Sequence, residues 1–153
     1  LCKHYPNLVV TRTFSKAYGL AALRIGYAVS NPDIADLMNR VRQPFNVNAM
    51  SLAAALTALD DQAHVRRSVE LNNKGLSYLG QECKRLGLGY IPSVANFLTI
   101  NFSRDAMPIY DSLLHEGVIV RPIGIYELPN HLRVTVGTED ENRRLVEALE
   151  KVL

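Results

Sequence analysis

Two short apolar runs open the pattern. Leu8, Val9 and Val10, and later Tyr27, Ala28 and Val29, are partly β-branched and bounded by Pro and Asn, so each is expected as a buried strand. After Ser30, Asn31 can cap a helix and Pro32 suits its first position, where a missing N–H is harmless. Ile34, Leu37, Met38 and Val41 follow at helical spacing, and this helix is expected to stop near Gln43 and Pro44. A polar-aromatic loop over 44–48 leads into an Ala/Leu-rich run, opened by Ser51 and reaching Leu59, that predicts a tightly packed helix. Residues 61–86 then spell a long amphipathic helix with Val65, Val69, Leu76, Leu79 and Cys83 toward a core, weakened in the middle by Asn72, Asn73, Lys74 and Gly75 and stopped by Gly87 and Gly89.

The remainder alternates strand and helix. Tyr90 with Ile91, and residues 97–102, read as strands; 105–116 reads as a helix ending at Gly117, and 118–121 as a further short strand. His131, Leu132, Arg133, Val134, Thr135 and Val136 alternate cleanly, and Thr138 with Glu141 forms a capping box before a last helix whose Leu145, Leu149 and Val152 face inward. The chain is thus α/β, with a boundary inside the long helix near residue 68. Residues 69–153 form an α+β lobe on a small antiparallel or mixed sheet. The first four residues are expected to close a preceding helix.

Composition narrows the function classes. The net charge of +2 comes without a dense basic block, and Arg66–Arg67 and Arg143–Arg144 are isolated pairs suited to solvated helix faces, so nucleic acid is not indicated. No apolar run has the length of a membrane span and no signal-peptide pattern opens the chain, which places it in the cytoplasm with no membrane partner. Cys2 and Cys83 are expected as free thiols, and neither they nor the four scattered histidines show metal-ligand spacing.

The chemistry gathers between the first two strands. Residues 13–27 hold Thr13, Ser15, Lys16 and Arg24, with Gly19 and Gly26 giving the backbone room to bend. A lysine set between core strands is desolvated, which favours its neutral, nucleophilic form. A guanidinium eight positions on, with two small hydroxyls, suits a phosphate. An aldehyde-bearing cofactor with a phosphate tail would use all four. A plainer reading also fits: Lys16 extends to solvent and Arg24 pairs with a surface carboxylate.

Thr13, Ser15–Lys16, Gly19–Leu20 and Arg24–Ile25–Gly26–Tyr27 together resemble the lysine segment of fold-type-I pyridoxal-phosphate aminotransferases, and the wording of residues 12–18 is similar to histidinol-phosphate aminotransferases. The resemblance implies the fold of that group, with residues 1–68 the end of its large domain and 69–153 its small domain. In that group the lysine segment lies past the middle of a much longer chain, so the sequence resembles a C-terminal piece. It implies pyridoxal 5'-phosphate as cofactor, Lys16 as its Schiff-base lysine and later proton carrier, and Thr13, Ser15 and Arg24 as phosphate ligands. Tyr18 would pack structurally, loop 44–48 would lie near the active site and subunit boundary, and the complete enzyme would be a homodimer.

A second set lies downstream. Arg133 interrupts an apolar alternation and Arg121 ends another apolar strand before Pro122, so the two can grip one anion between them or stand as solvated strand-edge charges. Residues 132–138 and 117–122 resemble the small-domain segments carrying the substrate-binding arginines of the same family. On that resemblance Arg133, assisted by Arg121, binds the carboxylate of glutamate or 2-oxoglutarate and the phosphate of the amino-alcohol donor, with Asn96 beside the substrate. The implied activity is transamination between a small-molecule amino donor and a 2-oxo acid in histidine biosynthesis. Alternatives are a decarboxylase of the threonine-phosphate type, an aromatic aminotransferase, or a catalytically inert folding or dimerisation piece.

Overall fold

A computed structural model describes residues 2 and 4–153; the helix end expected at the start falls partly on Leu1 and Lys3, outside the described residues. The chain divides into two compact units, Leu1–Ser68 and Val69–Leu153.

In the first unit, β1 (Val10–Thr13) and β2 (Gly26–Val29) form a two-stranded antiparallel ribbon, with Val10 opposite Val29 and Thr13 opposite Gly26. The first strand starts at Val10, not Leu8, and the expectation that both strands are buried is not met. Tyr27 and Val29 are about half exposed, because among the described residues the two strands of the ribbon pair only with each other. What is buried is the connection between the strands: Phe14 and Ile25 enter a small cluster with Ala55, backed by Tyr18, Leu20, Leu23 and Val47.

Two helices follow. In α1 (Pro32–Val41) the Asn31 side chain accepts from the Ile34 N–H at 3.0 Å and Pro32 takes the first turn. The helix ends at Val41, just short of the expected stop. Leu37, Met38 and Val41 are exposed, since periodicity specifies which side of a helix is apolar but not what covers it. In α2 (Ala49–Asp60) only Ser51 and Ala55 are buried, and Met50, Leu52 and Leu56 face solvent, so the expected tight packing is confined to one narrow strip.

The helix α3 (Gln62–Arg85) runs unbroken through residues 72–75. Gly75 is buried there because the Val136 side chain fills the space that a Cβ would take: an added Cβ would sit 2.3 Å from Val136 Cγ1 and 2.9 Å from Asn142 Nδ2. The glycine that looked like a weak point is a contact point. Val69, expected in the core, is exposed.

In the second unit, β3 (Gly89–Ile91), β4 (Phe97–Asn101), β5 (Arg121–Pro122) and β6 (His131–Thr135) form one antiparallel sheet in the order β3-β4-β6-β5. With α4 (Met107–His115) and α5 (Glu139–Val152), one sheet face and three helices enclose a core of Leu79, Cys83, Leu98, Ile100, Leu113, Leu132, Val134 and Leu149. The capping box forms: the Glu141 N–H donates to Thr138 Oγ1, and the Thr138 N–H donates to Glu141 Oε2 at 2.7 Å. The strand expected over 118–121 is cut to Arg121 and Pro122. Residues 118–120 lie outside the paired strand, and Val118 and Val120 border a groove of about 500 Å³ with Thr135, Val136 and Asn142. Among the described residues no helix is long and apolar enough to cross a membrane.

Candidate active site

The residues that connect β1 to β2 are shaped by their own backbone. The Phe14 N–H donates to the Ile25 carbonyl at 3.2 Å and its carbonyl accepts from Leu20 N–H at 2.9 Å, while the buried ring anchors the segment and Tyr18 packs against it at 4.8 Å between centroids. This holds Thr13, Ser15 and Lys16 at the start of the connection. Thr13 Oγ1 accepts from the Ser15 N–H at 3.1 Å and lies 2.9 Å from Ser15 Oγ, so the two hydroxyls are neighbours. Lys16 opens a tight turn closed by the Gly19 N–H on its carbonyl at 2.8 Å, with Gly19 at φ +72°.

Lys16 itself is exposed. The desolvation expected of a lysine between core strands is absent here, because the ribbon beside it is open on both sides. Among the described residues no carboxylate forms an ion pair with its amine.

Arg24 closes the connection in the left-handed region, at φ +51° and ψ +48°, with Nη1 donating to the Ala21 carbonyl at 2.8 Å. A non-glycine residue held there costs about 1–2 kcal/mol and persists only where its surroundings over-determine it. The restraint comes from Ser51 on α2: its hydroxyl, fully buried, donates to the Leu23 carbonyl at 2.9 Å and fixes the turn immediately before Arg24. Sequence reasoning missed Ser51. The available signal was a hydroxyl at the head of an otherwise apolar helical strip.

The second unit carries the other candidates on the sheet face opposite its core. In register across β4, β6 and β5 stand Thr99, Arg133 and Arg121, so the two arginines are directly opposed on adjacent strands. Cβ atoms in such pairs lie about 4.5–5.5 Å apart, and like charges there repel. Among the described residues no carboxylate forms an ion pair with either. Arg121 is exposed and Arg133 half-buried. Asn96, half-buried just before β4, accepts the Val136 N–H on its carbonyl at 2.9 Å, tying the start of β4 to the end of β6. Asn142 secures the same end from α5, accepting the Gly137 N–H at 2.9 Å and donating to the Gly137 carbonyl at 3.1 Å.

Two hydroxyls, a strained arginine and an amine thus share one connection, and an opposed arginine pair stands in a separate sheet. Residues 1–149 fit the family model for aminotransferase class I and II, and the chain belongs to that family. Among individual relatives it is 59% identical to histidinol-phosphate aminotransferase 1 of Idiomarina loihiensis, over 98% of this chain and 41% of the relative. It is also 59% identical to the enzyme of that name from Mannheimia succiniciproducens, over 100% of this chain and 42% of the relative. Its backbone matches the crystal structure of histidinol-phosphate aminotransferase from Sinorhizobium meliloti in complex with pyridoxal-5'-phosphate with a TM-score of 0.88 at 33% identity, covering 96% of this chain and 41% of that one. The chain spans about two-fifths of the length of these relatives, and its fold is that portion of the fold-type-I aminotransferases.

Proposed function

We propose that the chain is the C-terminal portion of a pyridoxal-phosphate-dependent aminotransferase that moves an amino group from histidinol phosphate to 2-oxoglutarate. The observation that carries it is the opposed Arg121–Arg133 pair. Two guanidinium groups in register, without a carboxylate between them, are stabilised by a bound anion, and both proposed substrates bring one as phosphate or carboxylate.

The donor set of the β1–β2 connection fits a cofactor with an aldehyde and a phosphate. Thr13 and Ser15 offer neighbouring hydroxyls, Arg24 keeps donors beyond the one spent on Ala21, and Lys16 offers an exposed amine. Bound there, pyridoxal phosphate supplies an electron-withdrawing ring that stabilises charge developing on the substrate carbon. Lys16 Nζ would serve as the general base that accepts the proton from that carbon, holding it on the amine until it is given up again as a general acid. Thr13, Ser15 and Arg24 would restrain the phosphate, and Arg133 with Arg121 would orient the substrate by its anion, with Asn96 beside it. The enzyme is a cytoplasmic homodimer on this reading. The exposed Phe45, Met50 and Leu56 of the first unit support burial against further protein.

The test uses the full-length, cofactor-loaded enzyme. Lys16→Ala abolishes amine transfer from histidinol phosphate and the borohydride-fixed attachment of cofactor detected by peptide mass. Arg133→Ala raises KM for both substrates. Release of carbon dioxide in place of 2-oxoglutarate-dependent transfer would replace this reading with the decarboxylase one, and retained transfer in Lys16→Ala would remove the enzymatic role assigned to that residue.

A further inference from the structure

Arg133 has neighbours of opposite effect on the sheet face away from the core. Arg121, in register on β5, repels it. On the other side the Arg133 guanidinium carbon lies 5.1 Å from the centroid of the Phe97 ring. Phe97 sits on β4 two residues before Thr99, the cross-strand partner of Arg133, so its ring rises from the same face one diagonal step away. Both Phe97 and Arg133 are half-buried.

An aromatic face attracts a cation through its quadrupole and takes up none of the N–H donors. A carboxylate in the same place would hold the guanidinium more tightly, but it would occupy the fork and cancel the charge an anion needs. The ring is therefore a partner that restrains the long side chain against Arg121 while leaving its donors open. A guanidinium restrained before binding loses less rotamer freedom when the anion arrives.

We propose that Phe97 is a positioning residue, whose ring holds the Arg133 guanidinium ready for the anionic group of both substrates. The proposal rests on Arg133 being the anion-binding residue, and the experiment separates the two. In the full-length, cofactor-loaded enzyme, Phe97→Leu raises KM for histidinol phosphate and 2-oxoglutarate by about two- to fivefold with a smaller change in kcat, and Phe97→Tyr restores it. Pentafluorophenylalanine at position 97 keeps the shape but reverses the quadrupole, and raises KM as leucine does even if the leucine variant fails to fold. In an Arg133→Ala background, Phe97→Leu adds nothing further. Unchanged KM in Phe97→Leu or in the fluorinated protein, while Arg133→Ala raises it, overturns the role of Phe97 and leaves that of Arg133. An equal rise from Phe97→Leu with and without Arg133 shows that the ring acts elsewhere and also overturns it. Unchanged KM in Arg133→Ala removes both.

Discussion

Replacing Gly75 by alanine tests how the second unit is closed. In an ordinary helix the change is favourable by about 1 kcal/mol, because alanine restricts the unfolded chain and suits the helix. Here the new Cβ would sit 2.3 Å from Val136 Cγ1, more than an ångström short of ordinary contact, and 2.9 Å from Asn142 Nδ2. Val136 is β-branched and stiff, and Asn142 is held at both ends by Gly137, so neither can move without a loss. Overpacking costs about 1–3 kcal/mol and a lost hydrogen bond to Asn142 about 1 more. The net expectation is destabilisation by about 1–3 kcal/mol, or a fall in Tm of roughly 4–20 °C for a unit of this size. Thermal unfolding of the full-length protein followed by circular dichroism reads it, with Asn73→Ala on the exposed side of the same helix as the control that does not fall. An unchanged or raised Tm in Gly75→Ala would refute the packing argument and return the glycine to a mere weak point in the helix.

Ser51→Ala removes the donor to the part-buried Leu23 carbonyl, which lowers stability by about 1 kcal/mol in urea unfolding. Because the same bond fixes the turn before Arg24, pyridoxal phosphate titration of the full-length variant gives a higher dissociation constant than wild type. The Glu141 carboxyl is held below its usual range by the Thr138 N–H and then by the Thr138 hydroxyl, and Glu116 is likewise lowered by Lys151. A depressed carboxyl stabilises the fold above its unfolded value, near pH 4.5, and that contribution disappears as pH falls through the lower folded value. Glu141→Gln therefore flattens the acid limb of the Tm-against-pH curve; a limb as steep as wild type contradicts the assignment. Burial raises the Cys83 thiol to about 11, with the neighbouring Glu82 charge adding to the effect. At pH 8 only ~0.1% of it is thiolate, so alkylation read by peptide mass labels Cys2 and spares Cys83 until urea is added.

Features satisfied within a few residues could be read directly from the chain. The Asn31–Pro32 helix start and the Thr138–Glu141 capping box need only near neighbours, and both form as expected. The alternation of Leu132, Arg133 and Val134 likewise separates core from open face, since successive strand residues point to opposite sides. Lys16, Arg24, Arg121 and Arg133 could be named as candidates because an amine and guanidinium groups suit an aldehyde and anionic groups.

What surrounds those residues was decided only by long-range packing. The exposure of Lys16, Val69 and the apolar side of α1 depends on what covers each element, which no local periodicity encodes. The opposition of Arg121 to Arg133 is a matter of strand register, and the roles of Gly75, Ser51 and Phe97 arise from partners at 136, 23 and 133. The residue types and their local geometry were thus determined along the chain, whereas desolvation, charge pairing and side-chain restraint depend on distances in space and came only with the tertiary structure.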